Sequence, residues 1–129
     1  MTYVDSSVAL AYLLAEPRAP NVAFWESELV SSRLLEYEVW NRLQARHVHE
    51  RRRSEARAVL AGIEFLELSE PVLARALEPW PMPIRTLDAL HLATADYLRR
   101  QTGQQIELAS YDGRLIAAAR ALDIPIAAL

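Results

Sequence analysis

Two aspartates stand where strands would end. Asp5 closes the apolar run Thr2-Tyr3-Val4, and Asp112 follows a second such run at residues 106–109. Ligands of open α/β sheets bind at the carboxyl ends of strands, so these two acids hold the right positions to share a pocket. Asp88 falls in the first turn of a helix that Thr86 would cap, where the positive end of the macrodipole favours a carboxylate. Glu38 falls about two turns into a helix that Ser32 would start. Four separate elements thus offer acids. If they converge, mutual repulsion raises at least one pKa unless a divalent cation neutralises them, and hard oxygen donors with open water positions suit Mg²⁺ or Mn²⁺. A centre of that kind generates hydroxide beside a phosphate. The chain has 17 Asp and Glu in all, many of which must serve capping and solubility, so spacing alone does not separate a site from a solvated surface.

Composition narrows the alternatives. The 129 residues are 52% hydrophobic and 24% charged, the profile expected of one domain spanning residues 1–129 that buries its own core. Cysteine is absent, which removes disulfides, thiolate metal sites and cysteine nucleophiles. All 14 basic side chains are arginine, so chemistry that needs a lysine is excluded: P-loop phosphate binding, Schiff bases, receiver-type phosphotransfer and haloacid-type phosphatases. The formal net charge of −3 gives no global attraction to nucleic acid, leaving any such contact to a local basic patch and to phosphate bridged by metal. The start of the chain has no basic segment before an apolar one, and the apolar runs stop short of the roughly 20 residues that span a bilayer. A cytoplasmic protein with no membrane contact is the expectation.

The elements that must position these acids alternate in type. Residues 2–4 read as a buried strand, with Ser6-Ser7 capping a helix over 8–15 that Pro17 stops. Pro20 starts a second helix through residue 28. A brief strand over 29–31 leads into a long helix from Ser32 to about His49, with Leu35, Val39 and Leu43 as its apolar stripe. After Arg51-Arg52-Arg53, Ser54 caps another helix, residues 63–68 alternate like a strand, and Ser69 with Pro71 restarts a helix. Pro79-Trp80-Pro81-Met82-Pro83 has to be a rigid loop. The helix from Leu87 to about Arg100 shows Leu87, Leu90, Ala93 and Leu98 near helical spacing and stops at Gly103. Residues 106–109 give another strand, Asp112-Gly113 turns the chain into an alanine-rich helix over 114–122, and residues 125–127 add an edge strand. Alternation of this kind predicts a parallel α/β sandwich.

The wording around each acid adds to this. Tyr3-Val4-Asp5-Ser6-Ser7, Ser32-Arg33-Leu34 with Glu38-Val39-Trp40-Asn41-Arg42-Leu43, Leu87-Asp88-Ala89-Leu90-His91-Leu92-Ala93, and Ser110-Tyr111-Asp112-Gly113-Arg114-Leu115 resemble, in order and context, the PIN-domain family. Within it, the chain is most similar to VapC-type toxins of bacterial type II toxin–antitoxin pairs, over residues 2 to about 126. The resemblance implies a three-layer α/β/α PIN-like fold with a short, mostly parallel central sheet. It implies a Mg²⁺-dependent ribonuclease, with Mn²⁺ as a substitute, in which Asp5, Glu38, Asp88 and Asp112 are the catalytic, metal-binding acids and Ser110 is a polar neighbour of the last. It also implies an RNA substrate, a cognate antitoxin and a homodimer. One metal ion or two is left open.

Several residues compete for roles. Glu36 lies about 200° from Glu38 around a helix, so only one can face the pocket, and the sequence that follows favours Glu38. Asp96 lies about 80° and ~12 Å from Asp88 along one helix and reads as a solvated residue. Arg42, Arg46, Arg51, Arg52, Arg53 and Arg57, with His47 and His49, form the densest basic stretch, which suits phosphate backbones or an ordinary solvated helix end equally well. His91, a turn after Asp88, reads as a packed, hydrogen-bonded core residue, and Phe24, Trp25 and Trp40 read as core or as the edge of a partner groove. Two other functions compete: a catalytically silent PIN-like module acting in a DNA-binding regulatory complex with a partner, and a metal-dependent phosphatase of small substrates, which the missing lysine disfavours.

Overall fold

The computed structural model describes residues 1–129. Its strands are β1 (Thr2–Val4), β2 (Leu29–Ser32), β3 (Ile63–Leu66) and β4 (Glu107–Ala109). Its helices are α1 (Ser6–Leu13), α2 (Arg33–Ala45), α3 (Arg53–Ala61), α4 (Glu70–Leu77), α5 (Thr86–Thr102) and α6 (Gly113–Ala121). The strands form one sheet in the order β3-β2-β1-β4, and every pairing is parallel. The expected sheet is therefore present, and it is parallel throughout.

Strand alternation builds the layers. Thr2 pairs with Leu29 and with Glu107, which places Tyr3, Val30 and Leu108 side by side on one face and Val4 with Leu29 on the other. On the Val4 face, Val8, Leu35, Val39, Leu43, Val59 and Leu60 of α1, α2 and α3 close one apolar cluster. On the Tyr3 face, Leu92, Ala95, Leu115, Ala118 and Ala119 of α5 and α6 close the second. Helices on both faces of a parallel sheet make a three-layer α/β/α sandwich. From β1 the chain moves outward to β2 and β3, whereas β4 adds on the opposite side, so β1 and β4 flank the topological switch point.

Local departures from the sequence reading have identifiable causes. Pro20 starts no α-helix; only a 3₁₀ turn over Val22–Glu26 forms, capped by Asn21. Helix α2 stops at Ala45 instead of reaching His49, because His47 adopts a left-handed φ of 58° and the Val48 N–H bonds back to the Leu43 carbonyl at 3.0 Å. Arg85 takes the N-cap position ascribed to Thr86, and Arg52 the one ascribed to Ser54. Leu87 is 47% exposed; of the expected stripe Ala93 is fully buried, and the buried side of α5 also carries Ala89, His91, Leu92 and Ala95. The expected last strand contributes a single parallel bridge, Leu108 to Ile126. No helix is long and apolar enough to cross a membrane.

Candidate active site

The four sequence-selected acids line one cleft of about 550 Å³. Asp5 directly follows β1 and is itself the N-cap of α1, one residue earlier than the Ser6-Ser7 reading. Its Oδ2 accepts from Ser7 Oγ at 2.6 Å, Ser110 Oγ at 2.9 Å and the Ser7 N–H at 3.4 Å. Three donors on one oxygen fix the carboxylate and leave Oδ1 without a protein partner. Ser7 Oγ also accepts from the Tyr111 N–H, and Ser110 Oγ from the Asp112 N–H, both at 2.9 Å, so the ends of β1 and β4 are laced together. Asp112 caps α6 by accepting from the Arg114 N–H at 2.9 Å. Asp88 lies in the first turn of α5, as its spacing suggested.

Glu38 enters from α2. Its Oε1 lies 2.5 Å from His91 Nε2, while Oε2 meets only Ser6 Oγ, at 3.4 Å. Asn41 and Arg42, three and four residues on, share its helix face and line the same cleft. Glu36 points elsewhere, into an ion pair with Arg33 at 3.0 Å. Asp96 lies outside the cleft and is not solvated: it is fully buried and takes Arg75 Nε at 2.7 Å, Arg99 at 2.8 Å and Arg100 at 3.1 Å.

The electrostatics show how closely the acids are set. Asp88 is pushed above the ordinary carboxylate range, first by burial and then by the negative charges of Asp112 and Asp5, against the opposing pull of Arg85. Arg85 spans two of them, with Nε 3.5 Å from Asp88 Oδ2 and NH2 3.7 Å from Asp112 Oδ2. No three His, Asp or Glu side chains stand in a ready metal-holding group; the positive charge lining the cleft comes from Arg85 and Arg42. The donor set nonetheless fits a hard divalent cation. It is all carboxylate oxygen, Asp5 Oδ1 is unengaged, Glu38 Oε2 is nearly so, and the repulsion that raises Asp88 is the repulsion a cation removes.

Residues that sequence reasoning did not place here are Arg85, Ser7 and Tyr3. Arg85 was legible only as the residue before a helix cap. Tyr3 Oη lies 2.7 Å from His91 Nδ1, behind Glu38, and nothing in its strand position announced that contact. His91 is packed and hydrogen-bonded, in line with its reading, but its partner is one of the four acids.

Residues 2–122 match the PIN domain family. Ribonuclease VapC46 of Mycobacterium tuberculosis is 33% identical over 129 residues, covering 98% of this chain and 95% of that protein. Ribonuclease VapC47 of the same species is 30% identical over 126 residues, covering 93% and 90%. Ribonuclease VapC35, also from that species, is 30% identical over 138 residues, covering 99% and 96%.

Proposed function

The chain belongs to the PIN domain family, and on that basis we propose that it is a Mg²⁺-dependent endoribonuclease, the toxin of a type II toxin–antitoxin pair. The observation that carries this reading is the convergence of Asp5, Glu38, Asp88 and Asp112, from four different elements, on one cleft at the sheet's switch point. The relatives named as ribonucleases VapC supply the substrate class and the toxin role.

Asp5 and Glu38 would hold the cation through their less engaged oxygens, with Asp88 and Asp112 completing the set. When bound, the divalent ion supplies Lewis-acid stabilisation of the phosphate and acidifies the attacking water. The chain's own groups do the remaining work. Ser7 and Ser110 fix the rotamer of Asp5. Arg42, which makes no ion pair, and Asn41 offer donors to the substrate backbone from the wall of the cleft, and a guanidinium matches phosphate geometry through its planar fork. Arg85 is 62% exposed and can trade its carboxylates for a phosphate when a cation takes over their charge.

The residues 1–129 act as one unit, with a cognate antitoxin occupying the cleft. The exposed Leu73 and Leu77 of α4, beside Leu90 of α5, offer an apolar face for a homodimer. The test is incubation of total bacterial RNA with the purified chain in Mg²⁺, in EDTA, and with Asp88→Asn in Mg²⁺. Discrete fragments only in the first condition are expected, with the variant down by at least about 10²-fold, the order lost when a charge-stabilising group is removed from a reacting centre. Intact RNA in all three would turn the reading to the silent module.

A further inference from the structure

The geometry points to a buried positioning relay behind the site: Tyr3 orients His91, and His91 Nε2–H holds Glu38 so that only Oε2 is left for the cation. The inference rests on the carboxylate reading above and extends it to residues that never touch substrate.

The contacts run end to end from the start of α2 to the carboxylate. The Ser32 N–H donates to Tyr3 Oη at 3.1 Å. The fully buried Tyr3 Oη also lies 2.7 Å from His91 Nδ1. At the far side of the ring Nε2 meets Glu38 Oε1, and because a carboxylate oxygen accepts, the hydrogen of that bond sits on Nε2. The ring cannot swing away, because it is 1% exposed, is pinned at both nitrogens, and meets the Tyr3 ring edge-on with centroids 5.8 Å apart.

The relay links three elements. Tyr3 belongs to β1, His91 to the buried side of α5, and Ser32 is the N-cap of α2, the helix that carries Glu38. The depth at which Glu38 enters the cleft is therefore set from both ends, by the cap of its helix and by the partner of its carboxylate. Outer-shell partners of metal-holding side chains typically account for about 10–100-fold of metal affinity.

The experiment titrates Mn²⁺ alone into the purified full chain and follows free Mn²⁺ by electron paramagnetic resonance, for wild type, His91→Leu, His91→Gln, Tyr3→Phe and Glu38→Gln. His91→Leu is expected to bind Mn²⁺ about 10–100-fold more weakly. His91→Gln keeps an amide donor in reach of Glu38 and should recover most of that loss, and RNA cleavage by His91→Leu should return as Mn²⁺ is raised. A folded His91→Leu that binds like wild type overturns the relay, as does a His91→Gln no better than His91→Leu, since lost packing would then be the cause. If His91→Leu does not fold, Tyr3→Phe decides: several-fold weaker binding supports the relay and unchanged binding overturns it. A Glu38→Gln variant with wild-type affinity would instead remove the carboxylate reading, and the relay with it.

Discussion

At the scale of single residues, the cleft trades stability for charge. Asp88 is held above the ordinary carboxylate range by burial and by Asp112 and Asp5, so its ionised form is disfavoured in the fold relative to the unfolded chain. For an acid whose folded pKa is raised, the native state carries no penalty at pH below the unfolded pKa, and stability is lost as pH rises through the folded value. Asp88→Asn, which mimics the protonated acid, should therefore raise the Tm of the metal-free protein near neutrality and lose that advantage on acidification, as thermal melts at a series of pH values would show. Mg²⁺ should stabilise wild type more than the variant, since a cation that binds only the folded state adds stability by mass action. An Asp88→Asn protein less stable than wild type at neutral pH would contradict the crowding of the acids. Asp5, Asp88 and Asp112 were legible as candidates because each is tied to a local signal, a strand end, a helix first turn or a helix cap, whereas Glu38 lies mid-helix and was singled out by the resemblance of the residues around it. His91 and Tyr3 were not assignable to the site, because their pairing spans 88 residues and leaves no periodic trace.

At the scale of elements, the most heavily charged contact lies away from the cleft. Asp96 accepts three arginines, two from its own helix α5 and Arg75 from α4, whose guanidinium also stacks 4.2 Å from the Trp80 ring. Burial alone would raise the Asp96 pKa, but Arg75, Arg99 and Arg100 outweigh it and hold the acid below its ordinary value. Its contribution is thus present above the ordinary carboxylate pKa and is lost as pH falls through the depressed one. Asp96→Ala should cost about 3 kcal/mol, the usual penalty for stripping one partner from a buried pair, with the loss shrinking in acid; urea unfolding at two pH values measures both. Spacing placed Asp96 on the correct helix but not its environment, because Arg75 is 21 residues distant in sequence. Helix ends were the least legible feature. The chain has only three glycines, and two residues past the ends of α1, α2 and α6 the left-handed turn is made instead by Ala15, His47 and Asp123, with φ of 52°, 58° and 58°. Residues of those types carry no stop signal, so the ends of these helices are set by backbone bonds that no composition rule reveals.

At the scale of the whole molecule, the alternation of strands and helices was enough to give the parallel three-layer architecture, because each short strand reads as an apolar run followed by a cap. The position of β4 beside β1 was not readable from strand patterns, yet it is what brings Asp112 to Asp5. The outward face was misjudged at Leu87, whose helical spacing mimics a core residue but which edges the acidic cleft; Leu77, 88% exposed, belongs with Leu73 and Leu90 to an apolar surface. If that surface joins two copies, Leu77→Glu should shift the protein from dimer to monomer in sedimentation equilibrium without unfolding it, and a wild type that sediments as a monomer would remove the homodimer. On the proposed function, the net charge of −3 would leave RNA contact to the local arginines, of which Arg42, Arg46, Arg51 and Arg57 make no ion pair.

On the proposed function, Asp5, Glu38, Asp88 and Asp112 together hold the cation that drives cleavage. The most direct measurement is the anomalous scattering of a crystal soaked in Mn²⁺. A peak within coordinating distance of these carboxylates, absent from Asp88→Asn crystals soaked identically, is the predicted result. A well-ordered cleft with no peak, or a peak that persists unchanged in the variant, would contradict it.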